Sequence, residues 1–132
     1  MNSTFERNLA KYAELAVKIG VNIQPDQYLY IAASIEVAPF VQKITKIAYE
    51  NGAKQVFVDY VDDVISRTRY ELAPENSFDF FPPWKIQERE WLAEQGAAFM
   101  SIVSQSPDLL SGIDSKKIAS FQKAAGTALN KY

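Results

Sequence analysis

The chain has 132 residues, 48% hydrophobic and 23% charged, which suits one soluble domain able to bury a core. Its net charge of −2 gives no footprint for a polyanion, so nucleic acid is excluded as a natural partner. There is no histidine and no cysteine, which removes a Ser-His-Asp triad, thiolate chemistry, disulfides and any histidine–zinc site.

The N-terminal stretch MNSTFERNLAKYAEL mixes charges among its apolar residues and lacks the continuous apolar core of a signal peptide. No apolar run is long enough to span a bilayer, so a cytoplasmic location without a membrane partner is expected. Ser3 and Glu6 fit a capping box, and Phe5, Leu9, Tyr12, Ala13 and Ala16 recur at helical spacing. Gly20 is placed to stop this helix in the left-handed conformation. Val21 and Ile23 read as extended, and Gln24-Pro25-Asp26-Gln27 as a turn. Tyr28 to Ala33 form a first strand.

The strand runs through Ala33-Ser34-Ile35-Glu36-Val37 into a helix starting near Val37, with Pro39 in its first turn. No glycine stands there, and no G-x-G-x-x-G follows any strand, so dinucleotide binding is excluded. A phospho-accepting receiver domain would want acids after this strand, and Ala32-Ala33-Ser34 offers none. Phe40, Val41, Ile44, Ile47 and Ala48 mark the helix's buried face, and Gly52 closes it. QVFVDY, residues 55–60, is a second strand whose consecutive Val56-Phe57-Val58 predicts cover on both faces.

Asp62 and Asp63 suit a helix N-terminus, and Val61, Val64, Ile65, Thr68 and Leu72 carry that helix to Pro74. ENSFDFFPP, residues 75–83, reads as irregular. Trp84, Glu88, Trp91, Leu92 and Gln95 share one side of a fourth helix that Gly96 ends. Ala98 to Val103 form a third strand, SQSPDLLSG a loop, and Asp114 caps a last helix carrying Ile118, Phe121, Ala125 and Leu129.

Helix–strand alternation predicts an α/β fold: a small three-layer sandwich with a short, mostly parallel sheet of about three strands flanked by helices. A weak repeat supports it, since Tyr49-Glu50-Asn51-Gly52-Ala53 and Ala93-Glu94-Gln95-Gly96-Ala97 each lead a helix through glycine into a strand. Such a sheet has two edges without partners, a liability that a second subunit or further chain would cover.

Ligands of open parallel sheets bind beyond the carboxyl ends of the strands. Three segments meet there: Ser34 to Glu36, Asp59 to Asp63, and Ser104 to Pro107. Glu36, Asp62 and Asp63 could hold a hard cation, such as magnesium in phosphate chemistry, or could simply complement helix dipoles. Arg67 and Arg69, followed by Tyr70, could clamp a carboxylate. Arg67 lies within reach of Asp63 on a solvated face. Phe78, Phe80, Phe81, Trp84 and Trp91 could be core or a docking surface. The residues leave open a stand-alone flavodoxin-like binding module without catalysis.

The string FERNLAKYAELAVKIGVNIQPDQ, IEVAPFVQKITKIAYENGAKQVFVDYVDD, RYELAP, FPPWK and GAAFMSIVSQSPDLLSGIDSKKI resembles the N-terminal region of the M29 metallo-aminopeptidases. Gly20 to Gln24, Tyr49 to Lys54 and Ser106-Pro107-Asp108-Leu109-Leu110 carry it best, and Pro25-Asp26 departs from it where a glycine is common. The resemblance implies a peptidase that frees N-terminal residues from peptides with two divalent metal ions (zinc, cobalt or magnesium), working as a homodimer. The family's metal ligands belong to a C-terminal catalytic domain, and none maps here. Residues 1–132 are therefore expected to form a single N-terminal α/β domain with no catalytic residue and no bound metal. Its last helix, residues 114–131, would lead toward the catalytic domain. Glu36, Asp62 and Arg69 would lie near one rim, facing substrate or that domain.

Overall fold

The computed structural model describes residues 3–102 with residues 114, 116–118 and 120, the side chains from residue 7 onward. The chain divides into two compact units: Met1–Val61 with Gln95–Ser104, and Asp62–Glu94 with Gln105–Tyr132.

The first unit holds the sheet. Helix α1, Ser3–Leu15, runs into a π-helical turn, Ala16–Gly20. Strand β1, Tyr28–Ser34, passes through a 3₁₀ turn, Ile35–Val37, into helix α2, Ala38–Glu50. Strands β2, Gln55–Val61, and β3, Ala98–Ile102, flank β1 in the order β2-β1-β3, both parallel to it. The α/β class and parallel sheet are as expected.

Strand periodicity sorts the side chains. Leu29, Ile31 and Ala33 point to the face where Ala13 and Val17 meet Val41, Ile44 and Ala48 of α2, and all are buried. Full burial of one such aliphatic side chain stabilises by roughly 1.5–3 kcal/mol. Phe40 and Ile47, expected in that face, pack at its margin. The opposite face carries aromatics. Tyr28 meets Phe57 at 5.8 Å between ring centroids, and buried Tyr30 meets Phe99 at 5.9 Å. The Tyr30 hydroxyl donates to Asp59 Oδ2 at 3.0 Å, which gives this acid in a strand a partner.

Two expectations about the first unit change. Gly20 does not adopt a positive φ; Asn22 (φ 50°) and Asp26 (φ 66°) do, beyond the π turn. The π turn supplies the Val21 N–H to Ala16 O bond (2.9 Å), which closes the helix without a left-handed glycine. Second, β2 is not covered on both faces: Val58, Tyr60 and Val61 are exposed, because β2 is an edge strand and not the central one. Val103, the loop after it and most of the last helix lie outside the described residues. Asp114 does act as a cap there, since its Oδ1 accepts from Lys116 N–H at 2.9 Å.

The turn at Gln24–Gln27 is as expected, with Gln27 N–H donating to Gln24 O at 3.2 Å. Asp26 occupies its left-handed position, which explains why glycine suits that place. This turn sits on the end of α2: Asp26 N–H donates to Gly52 O (2.7 Å) and Lys54 N–H to Gln27 O (2.8 Å). At the start of β2 the Val56 N–H is bonded to the Tyr49 hydroxyl at 3.0 Å.

The second unit is helical where it is described. Helix α3, Asp63–Leu72, is followed by a 3₁₀ turn, Glu75–Phe78, within the stretch expected to be irregular, and then by helix α4, Pro83–Glu94. Its buried centre is Phe78, with Leu92 also buried. The apolar residues whose spacing announced α3 are not core: Val64, Ile65 and Leu72 are exposed. On α4 the side shared by Trp84, Trp91 and Leu92 divides, since Leu92 is buried while Trp84 and Trp91 are exposed.

Candidate functional site

In the first unit, Ser34 and Val61 are register partners at the carboxyl ends of β1 and β2. Parallel pairing therefore brings the carboxyl ends of both strands to one edge of the sheet. Ser34 is buried in extended conformation (φ −70°, ψ 141°) and opens the 3₁₀ turn, where Ala38 N–H returns to Ile35 O. Pro39 then sits in the first turn of α2, where no N–H is needed. Glu36 lies exposed in the 3₁₀ turn. Ser104 to Pro107 fall outside the described residues.

In the second unit, Asp62 is the N-cap of α3: its Oδ1 accepts from Val64 N–H at 2.8 Å, in extended conformation (φ −126°, ψ 118°). Asp62→Ala is expected to lower chain stability by about 1 kcal/mol, and Asp62→Asn by much less, as read by urea unfolding. A loss with Asn as large as that with Ala would assign Asp62 a role that needs its charge.

Arg69 stands in the last turn of α3, roughly 10 Å along the axis from Asp62 at 1.5 Å per residue. Its guanidinium lies 4.4 Å from the Phe78 ring centroid, and Nη2 donates to Ser77 O at 3.3 Å. Tyr70 stacks on the same ring at 5.3 Å between centroids. Lys117 approaches it at 5.4 Å and donates to Tyr70 O (3.0 Å) and Ala73 O (2.8 Å) at the end of α3. Buried Phe78 thus receives two cations and a ring, and the last carbonyls of α3 receive an ammonium donor. Sequence reading missed this hub. It grouped Phe78 with four other aromatics, although spacing could not separate the buried ring from exposed Phe80 and Trp84, which contact each other at 6.5 Å. Arg67 pairs with Glu71 on its C-terminal side (Nε–Oε1 2.6 Å), at i,i+4 along α3.

The donor set does not fit a two-metal centre. Histidine and cysteine are absent from the sequence, and the described residues contain no group of three carboxylates close enough to share a cation. Asp62 uses one oxygen as a cap and Asp59 accepts from Tyr30. What the arrangement can do is hold surfaces: an edge of strand ends in the first unit and a cation-rimmed aromatic hub in the second. No helix among the described residues is long and apolar enough to cross a membrane.

Comparison with known proteins places these surfaces in a larger setting. Aminopeptidase AmpS of Bacillus subtilis is 54% identical over 129 residues, which is 98% of this chain and 32% of that protein. Aminopeptidase 2 of Geobacillus stearothermophilus is 49% identical over 128 residues, 97% of this chain and 31% of that protein. The solved structure of wild-type AmpT from Thermus thermophilus superposes with a TM-score of 0.88 at 35% identity, covering 96% of this chain and 32% of that one. The chain thus spans about a third of the length of the relatives it matches. A family model described as thermophilic metalloprotease (M29) matches residues 5–132, and the chain belongs to that M29 peptidase family.

Proposed function

We propose that residues 1–132 serve as the N-terminal, non-catalytic domain of a metal-dependent aminopeptidase. The observation that carries this reading is a likeness over nearly the whole chain to proteins named aminopeptidases that are about three times as long. The chain has no histidine or cysteine, and its described residues hold no group of carboxylates that could share a metal ion. Hydrolysis would then belong to a C-terminal catalytic domain holding two divalent ions, which in such chemistry activate water. The substrates would be peptides, and the full enzyme a cytoplasmic homodimer.

In this reading Glu36, Asp62 and Arg69 belong to the part of the domain that faces the catalytic domain across a cleft. Support comes from the sheet: the segment carrying Glu36 leaves the carboxyl end of β1, and Asp62 directly follows that of β2. The glycine-free turn after β1 fits the same role, since a surface that meets protein needs no phosphate cradle.

The test is direct. The 132-residue chain is expected to show no turnover of an aminoacyl reporter with zinc, cobalt or magnesium. A chimera in which it replaces the matched third of the Bacillus subtilis relative is expected to hydrolyse the reporter. Turnover by the chain alone, surviving removal of contaminating peptidases, would place catalysis within it and sink the reading.

A further inference from the structure

Helix α3 is built inside out. Its exposed side carries Val64 (74% exposed), Ile65 (69%) and Leu72 (78%), with exposed Thr68 between them. These positions fall at i, i+1, i+4 and i+8, a single stripe of an α-helix. Thr68 adds to its apolar character, because its hydroxyl donates back to Val64 O at 2.8 Å. The half-buried side carries Ser66, Arg67, Arg69 and Tyr70 instead. An isolated domain gains nothing from turning three branched aliphatics to water while half-burying two arginines, so the stripe has a use outside the described chain.

We propose that this α3 stripe is a docking face for the remaining two-thirds of the family's chain, the part carried by the longer relatives. The inference rests on the domain reading above and names the surface through which that domain is held. A stable contact with a second copy buries about 800 Å² per partner over roughly twenty or more residues a side. Four side chains on one helix fall far short of that. A segment linked through the same polypeptide meets the stripe at about millimolar effective concentration, where a small apolar contact is enough. The relatives supply such a segment, since this chain accounts for 32% and 31% of their lengths.

The absence of cysteine makes the test clean. Ile65→Cys and Leu72→Cys are introduced singly into the isolated chain and into the chimera with the Bacillus subtilis relative. Maleimide labelling at each position is followed by peptide mass. Both thiols are expected to label at a free-thiol rate in the isolated chain and at least 100-fold more slowly in the chimera. Labelling at the isolated-chain rate in a folded chimera overturns the docking face. Protection that grows with concentration in the isolated chain assigns the stripe to a second copy and overturns it too. Aminopeptidase activity is scored separately, so a folded but inactive chimera counts against the domain reading alone. As a check independent of chimera folding, Ile65→Ser with Leu72→Ser should leave the isolated chain's Tm within a few degrees. A drop of 10 °C or more would make these residues core and would also overturn the proposal.

Discussion

Phe78→Ala is expected to cost about 3–5 kcal/mol, the largest loss from any single truncation in the second unit. The ring is fully buried. It is stacked by Tyr70, and it faces the Arg69 guanidinium at 4.4 Å and the Lys117 ammonium at 5.4 Å. Removing it leaves a cavity and withdraws the π face from both cations, each such contact being worth about 0.5–2 kcal/mol. Phe78→Leu retains most of the apolar volume and is expected to lose roughly half as much. Urea unfolding of the three proteins measures this. Equal losses for Ala and Leu would mean that the ring's electrons, and not its volume, dominate. A loss below about 1 kcal/mol for Ala would remove Phe78 from the centre of the unit. Arg69→Ala provides the companion measurement, with an expected loss of about 1–2 kcal/mol from its ring and carbonyl contacts.

Gly52→Ala is expected to cost about 2–4 kcal/mol and to lower the Tm by roughly 10 °C. Two effects add. Gly52 has φ +98°, a conformation that L side chains rarely adopt, and a Cβ there would stand 3.1 Å from Pro25 Cα, a backbone atom that cannot swing aside. Relief by shifting the Gln24–Gln27 turn would strain the bonds from Asp26 N–H to Gly52 O and from Lys54 N–H to Gln27 O. Gly96 is the internal control. Its φ is +71°, but nothing lies within 4 Å of its Cβ position, so Gly96→Ala should cost only about 1 kcal/mol of backbone strain. Circular-dichroism melts compare the two. Similar losses would show that conformation alone, and not the approach of Pro25, sets the requirement at Gly52.

The sheet was legible because its signals are local. Apolar runs, two of them led in by a glycine and one by the Gln24–Gln27 turn, gave all three strands within a residue or two, and helix–strand alternation gave their parallel sense. Strand order was not legible, and it decided the burial of β2: Val56-Phe57-Val58 reads the same in an edge strand as in a central one. In α3 the apolar period correctly announced a helix, yet periodicity names a face without saying what covers it. Val64, Ile65 and Leu72 therefore look like core in the sequence and stand exposed in the structure. Asp62 as a cap could be read from its place before a helix. The Phe78 hub could not, because Lys117 reaches Tyr70 O across 47 positions and Ala73 O across 44.

Because β1 is central and both its neighbours come later in the chain, one flank of β1 closes well before the other. A chain emerging from the ribosome can zip β1 to β2 as soon as Val61 is free. The other flank stays open until β3 appears, after the whole of α3 and α4 has passed. The Gln27 side chain's bond to Gly96 O, 3.0 Å long and spanning 69 positions, records the width of that gap. During this interval Leu29 and Ile31 have a neighbour on one side only, and the open flank of β1 is a template for any passing strand. Nascent chains stalled between Val61 and Ala98 would therefore be the ones that a chaperone must shelter, while those released after Ile102 already carry a closed β1.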